Sequence, residues 1–374
     1  MRTGFIVAVA GLALVACTDG GEAEAQVAGF TVEEMGTFAE PWAMTFLPND
    51  MLVVTEKAGT MRFIDFAPDT PRLGTITGLP EVDYGGQGGL GDVVAHPDFA
   101  SNNLLYFSFA EAGQGDMRGA AVARGALVCE EADACRLDDV EVIWRQAPKV
   151  TGRGHYSHRI AFGPEGHLWI SSGDRQKLDP AQDLSNTLGT IVRLNDDGSV
   201  PDGNPFADRG GVSAEIWSYG HRNVLGLAFA PDGSLWDIEH GPAGGDEINR
   251  VERGANYGWP EVSNGNHYDG RPIPDHDTSD AYRAPAISWT PVIAPGDFIF
   301  YTGDMFADWQ GDILAAGMTA NGLVRVEIDG DTAREAARYD LGERIREVEQ
   351  GPDGAIWVLE DADEGRLLRL TPGQ

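Results

Sequence analysis

The chain has 374 residues, 49 of them glycine and 21 proline, and carries a formal net charge of −32. That charge excludes a nucleic-acid partner, whose phosphates this surface would repel. Glycine at this level, without a collagen period, points to many tight turns between short elements.

The first 16 residues, "MRTGFIVAVAGLALVA", hold one arginine and an apolar run from Phe5. The run is too short to span a membrane and suits the core of a secretory signal. Leu14-Val15-Ala16-Cys17 resembles a bacterial lipobox. Cys17 is therefore expected to carry a lipid, the chain's sole membrane attachment, on an exported protein at the periplasm or outer surface. Residues 17–27 read as a polar tether. Residues 28–374 are expected to form a single catalytic domain.

Within that domain one pattern recurs. "AMTFLPNDMLVV" starts at Ala43, "GDVVAHPDF" at Gly91, "RIAFGPEGHLWISSGD" at Arg159, "GLAFAPDGSLWDIEHG" at Gly226 and "REVEQGPDGAIWVL" at Arg346. Each is an alternating apolar run, a Pro-acid-Gly type of turn and a second run, which is a hairpin signal. The turn prolines Pro48, Pro97, Pro164, Pro231 and Pro352 are spaced by 49, 67, 67 and 121 residues. The last gap is twice the others, so a sixth unit is expected across 300–328, with Asp308–Asp312 as its degenerate turn. Six such units predict an all-β fold, a six-bladed β-propeller with four-stranded antiparallel blades. "DTAREAARYDLGERIREVEQ" has local helical character and reads as a loop leading into a strand. "VCEEADACR" closes a short acidic loop with Cys129 and Cys135, and an exported protein favours a disulfide there.

In a propeller the loops of every blade converge on one face. His155 precedes one repeat strand and Asp174 follows the next. Arg222 and Asn223 precede another repeat, Arg344 and Arg346 the last, and Gln87 the second. Three arginines and a glutamine aimed at one channel mouth, on so acidic a protein, suggest an anion pocket.

These segments resemble the soluble PQQ-dependent aldose sugar dehydrogenases, six-bladed propellers that use pyrroloquinoline quinone and calcium. "GQGGLGDVVAHPDF", "RIAFGPEGHLWISSGDR", "YGHRNVLGLAF", "HGPAGGDEINRVERGANYGWP" and "RIREVEQGPDGAIWVL" occur in the family's order. The resemblance implies oxidation of aldoses at C1 to lactones, with electrons passed to an external quinone or cytochrome. It makes His155 the general base, oriented by Asp174. Arg222 and Asn223 fall beside the reactive quinone carbonyl, and Gln87, Arg344 and Arg346 line the cofactor. Gly241 and Pro242 would offer backbone carbonyls to the cofactor calcium, and Glu247 and Tyr257 fall at a second, structural calcium. Trp289 matches a tryptophan near the sugar. The chain departs from the family in two places. Thr319 replaces a lysine, for which Arg159 is the nearest substitute cation, and Ser157-His158 replaces a glycine pair. Two other readings of a propeller remain in view: a calcium-dependent hydrolase of lactonase type, which would want side-chain ligands on a channel metal, and a non-catalytic binding module.

Overall fold

The computed structural model describes residues 25–373 apart from residue 69; the signal and Cys17 lie outside them. The chain is all-β, 6% helix and 50% strand. Three sheets are four-stranded antiparallel meanders. The first runs Ser157–Phe162, Leu168–Ser172, Thr190–Leu194, Ile216–Tyr219. The second runs Val224–Phe229, Leu235–Glu239, Asp246–Val251, Ile287–Trp289. The third runs Pro295–Phe300, Ile313–Gly317, Gly322–Asp329, Thr332–Asp340. The third meander is the unit expected across 300–328. It begins five residues earlier and continues further, because the helix-like segment at 332–340 is a strand paired with Gly322–Asp329. Its side chains are exposed or half-buried, so its charged sequence suits an outer edge.

The other two sheets depart from separate four-stranded units. Pro41–Leu47 through Arg72–Thr77 form one meander, and Leu90–Ala95 through Ala134–Arg145 another. Parallel pairing of Ala134 with Thr75 and Cys135 with Ile76 fuses their outer edges. Cys135 also faces Cys129, to which it is disulfide-bonded. The remaining sheet joins the chain's two ends: Phe30–Ala39 pairs with Glu364–Pro372, beside Ile356–Glu360 and Ile345–Gln350. Ala25–Val27, expected in the tether, adds a fifth strand to this sheet.

The turns behave as the sequence suggests. Pro164-Glu165-Gly166 and Pro231-Asp232-Gly233 close hairpins, with Gly166 and Gly233 at φ +81° and +84°, where glycine avoids the Cβ clash. The second strands do not alternate between buried and exposed positions. Leu168–Ser172, Leu235–Glu239, Ile313–Gly317 and Ile356–Glu360 are buried at every residue. Both of their faces are covered, and the polar residues among them, Ser171, Ser172, Asp237, Glu239 and Glu360, are buried with the rest.

The six first strands touch in sequence, from Pro41–Leu47 round to Ile345–Gln350 and back. One side chain meets all of them. Arg159, 2% exposed, donates to the carbonyls of Leu225 and Gly296, both at 2.6 Å. Its guanidinium lies 2.7 Å from Glu347, 3.4 Å from Asp92 and 3.8 Å from Asp297. It stacks 4.2 Å from the Trp42 ring. Burial pushes the Asp297 carboxyl up to about 8, and Arg159 pulls against that shift. A cluster with more carboxylates than cations keeps Arg159 charged and fixed.

Candidate active site

A cavity of about 440 Å³ opens where the ends of the first strands meet. Gln87, His155, Arg222, Asn223, Arg344 and Arg346 all line it, so the structure brings these six predicted residues together. Asp174 lies directly behind them. Its Oδ1 is 2.7 Å from His155 Nδ1, and its two oxygens also accept from the Gln176 amide and the Trp259 indole, each at 2.8 Å. Burial raises the Asp174 pKa, but these donors outweigh it and hold the carboxyl below its ordinary value. An ionised Asp174 requires His155 Nδ1 to carry the proton, which leaves Nε2 as the basic nitrogen. Burial also lowers the His155 pKa below 6.5, with Asp174 opposing and Arg222 assisting. The imidazole is neutral at pH 7.

The backbone holding this histidine is strained. His155, Ser157 and His158 have φ of +48°, +57° and +60°. Such conformations cost non-glycine residues about 1 kcal/mol or more each and concentrate at functional sites. Ser157 and His158 hold a backbone shape that glycine adopts more readily, as the resemblance to a glycine pair at these positions implies. His158 is sealed in place: its Nδ1 is 2.7 Å from Ser108 Oγ and its ring stacks on Trp42. Gly173 completes the fit, since a Cβ there would meet the His155 carbonyl at 2.1 Å.

Other residues act through backbone groups, which sequence reasoning missed. The Gln87 side chain accepts the His155 amide at 2.6 Å. Glu239 Oε2 accepts the amides of Arg222 and Asn223, at 2.6 and 3.2 Å. His240 also lines the cavity. Burial, then Arg222 and Arg346, lowers its pKa to about 3, and its Nε2 donates to the Pro295 carbonyl at 2.8 Å. Only the "EHGP" string hinted at Glu239 and His240.

The cavity has a surplus of cations. Arg344 and Arg346 share one carboxylate, Asp361, which they hold below its ordinary pKa against the upward push of burial. Among the described residues Arg222 has no acidic partner, and its buried Nε has no hydrogen-bond partner at all. An orphaned guanidinium N–H beside two arginines fits a polycarboxylate such as PQQ. Gly241 and Pro242 line a recess beside the cavity. Their carbonyls accept no hydrogen bond from the described residues, as suits calcium ligands. Glu247 sits with Asp237, Glu239 and Asn249, and burial pushes the Asp237 and Glu247 carboxyls well up. Asp237 Oδ2 has no partner, so this cluster also fits a cation. The Tyr257 phenol is committed elsewhere, donating to the Arg250 carbonyl at 2.6 Å, so only its backbone could face such an ion.

Two expectations fail. Trp289 does not line the cavity. It is 5% exposed, packs near Trp236 and Phe298, and donates to Glu335 at 2.7 Å. Arg159 does not replace the missing lysine, because its guanidinium is enclosed by the carboxylates described above.

A ring of sheets with a histidine–aspartate pair and one unpaired guanidinium, that of Arg222, at its mouth is the arrangement of the β-propeller dehydrogenases that the chain resembles. Residues 38–369 match the glucose/sorbosone dehydrogenase family model. The chain is 38% identical over 338 residues to the aldose sugar dehydrogenase YliI of Escherichia coli (strain K12), covering 89% of this chain and 90% of that one. It is 30% identical over 249 residues to quinoprotein glucose dehydrogenase B of Acinetobacter calcoaceticus, covering 60% of this chain and 51% of that protein. The crystal structure of the soluble E. coli aldose sugar dehydrogenase in the apo-form superposes with a TM-score of 0.86 at 37% identity, covering 92% and 99% of the two chains. The PQQ-bound aldose sugar dehydrogenase of Streptomyces coelicolor superposes at 0.76 with 26% identity, covering 93% and 99%. The chain belongs to the glucose/sorbosone dehydrogenase family.

Proposed function

We propose that this chain is a PQQ- and calcium-dependent dehydrogenase that oxidises aldoses at C1 to lactones, on a six-bladed propeller in which the fused sheet counts as two blades. The observation that carries the reading is the hydrogen-bonded pair of neutral His155 and ionised Asp174, opening onto a cavity where Arg222 has no acidic partner and its Nε no hydrogen bond. His155 Nε2 takes the proton of the anomeric hydroxyl, and Asp174 holds the imidazole in the accepting tautomer and stabilises its protonated form. Arg222, Arg344 and Arg346 would hold PQQ, with Gln87 and Asn223 at its edge, and Gly241 and Pro242 would hold calcium. Bound PQQ supplies an acceptor for the hydride leaving C1. Arg222 donors stand ready where negative charge develops, which is worth most in a dry site. Electrons then leave to an external acceptor. The hydrolase reading gains nothing here. The described residues able to share a metal through side chains, His221, Asp237 and Glu239, are all buried.

The test is reconstitution. Protein mixed with PQQ and calcium should gain dye-linked aldose oxidation, and a chelator added first should prevent it. Absence of PQQ binding by calorimetry at micromolar concentration sinks the proposal. We also read Cys17 as a lipid anchor, so Cys17→Ser should release the protein from the membrane fraction.

A further inference from the structure

The cavity has lost the aromatic that the family pattern assigned to the sugar, because Trp289 is in the core. Three aromatic rings do line it: Trp42, Tyr156 and Tyr268. Two are already engaged. Trp42 is stacked by His158 at 5.1 Å and by the Arg159 guanidinium at 4.2 Å. Tyr156 is buried, with the Arg175 guanidinium 3.7 Å from its ring. Tyr268 differs. It is 78% exposed, an unusual state for a large aromatic with no partner ring.

Exposure here does not mean a loose side chain on a loose loop. The Tyr268 hydroxyl accepts from Arg222 Nη2 at 3.3 Å. Its segment is a tight turn, with His267 N donating to the Arg271 carbonyl at 3.0 Å and Gly270 N to the His267 carbonyl at 2.9 Å. Asn266 exchanges both backbone hydrogen bonds with Ala243, at 2.9 and 3.3 Å. The turn is thereby fastened to the loop that carries Gly241 and Pro242. Tyr268 lines both the main cavity and the recess beside that loop. The ring is held at the rim by its hydroxyl; the Arg222 guanidinium lies 5.9 Å from its centroid, farther than the cations over Trp42 and Tyr156, and most of its surface is open.

We propose that Tyr268 is the side chain on which the aldose stacks, and that it sets which sugars are accepted. The inference rests on the sugar-oxidation reading of the same cavity. The C–H face of a pyranose is apolar and its edge is ringed with hydroxyls. A tyrosine whose ring is mostly open, with its hydroxyl already tied to Arg222, matches that face and leaves the sugar edge to the polar cavity wall. Because the ring is 78% exposed at the rim, it meets the outer part of the sugar. Aldoses that differ away from C1 are therefore those it separates.

The experiment compares Tyr268→Ala, Tyr268→Phe and Tyr268→Trp holoenzymes on several aldoses, with PQQ affinity measured separately by fluorescence quenching. Loss of an aromatic stack is expected to raise KM about three- to tenfold in the alanine variant. Phenylalanine and tryptophan should restore the wild-type KM to within about twofold, which a purely structural role for the hydroxyl would not allow. A second readout needs neither turnover nor a variant. Chymotryptic cleavage after Tyr268 in the wild type should slow when aldose is added, with or without PQQ. An alanine variant whose KM rises less than threefold, or cleavage unchanged at saturating sugar, overturns the proposal. Protection by sugar in a protein that never binds PQQ would leave the stack standing and remove the dehydrogenase reading.

Discussion

Arg159 and Arg222 begin in the same ring of first strands and end in opposite electrostatic states. Arg159 sits among Asp92, Asp297 and Glu347, so carboxylates outnumber cations. At the cavity, Arg222 has no acidic partner and Arg344 and Arg346 share one carboxylate, Asp361, while Lys57 pairs with Glu40. Arg222 is nearly as buried as Arg159 although Arg344 is exposed, so neither burial nor residue type alone separates structure from binding. The sign of the local imbalance does. Around Arg159 burial raises the Asp92, Asp297 and Glu347 carboxyls, so that enclosed cluster can balance its charge with protons and needs no ligand. An excess of guanidinium at an open cavity is incomplete until an anion arrives.

The comparison breaks first, and hardest, at Arg159. Arg159→Met would leave three buried carboxyls without their cation and detach a group touching every first strand. Removing one partner of a buried ionic cluster typically costs about 3–5 kcal/mol, so thermal or denaturant unfolding should show a loss of that size. A melting temperature close to wild type would mean that Arg159 is no hub. His155→Gln comes next and acts on chemistry alone. Turnover should fall by about 10²–10⁴ while PQQ affinity, measured by titration, barely moves. The pH profile sharpens the assignment. His155 must be neutral to accept a proton and its pKa lies below the ordinary 6.5, so kcat/KM should be flat through pH 7 and fall only under more acid conditions. Asp174 raises that pKa, so Asp174→Asn should move the acid limb to still lower pH while lowering the rate. A limb moving upward would contradict the hydrogen-bonded pair.

Much of this arrangement was legible in the sequence because turns are local. Pro-Glu-Gly at 164–166 and Pro-Asp-Gly at 231–233 announce hairpins, and a repeated hairpin spacing announces radial symmetry. The residues just before first strands had to converge, and Gln87, His155, Arg222, Asn223, Arg344 and Arg346 do. Features that depend on distant partners were not legible. The fusion of Arg72–Thr77 with Ala134–Arg145 is parallel pairing across some sixty residues, with no local signature. Thr332–Asp340 looks helical because an outer strand need bury little. Trp289 ends a strand whose partner is Asp246, and which face its indole takes is decided by Glu335 of the next sheet. Glu239 serves its neighbours through their backbone amides, which no side-chain pattern reports.

At the cavity the expected effects are smaller and fall on affinity. Arg346→Gln removes a charge-assisted donor worth roughly 1.5–3 kcal/mol, so the dissociation constant for PQQ should rise about 10- to 150-fold. Arg344 would still hold Asp361, and unfolding should change far less than for Arg159→Met. A stability loss without an affinity loss would place Arg346 with Arg159 and erase the distinction.

The smallest effect concerns Thr319, where the resemblance implies a lysine. Thr319 is exposed, and its hydroxyl donates to the Val292 carbonyl at 3.0 Å, a contact that water can replace. Its neighbour Met318 lines the cavity, so a long side chain from this position has a short reach to the rim. Thr319→Lys therefore adds a cation to a site that already holds Lys57, Arg222, Arg344 and Arg346. An exposed ammonium gains little, about 1 kcal/mol or less, and salt screens it. PQQ should bind up to about fivefold more tightly at low ionic strength, and the gain should fade as salt is raised. A larger gain that resists salt would mean that Arg222, Arg344 and Arg346 leave a cofactor carboxylate unmet, and that the cavity was short of cations after all.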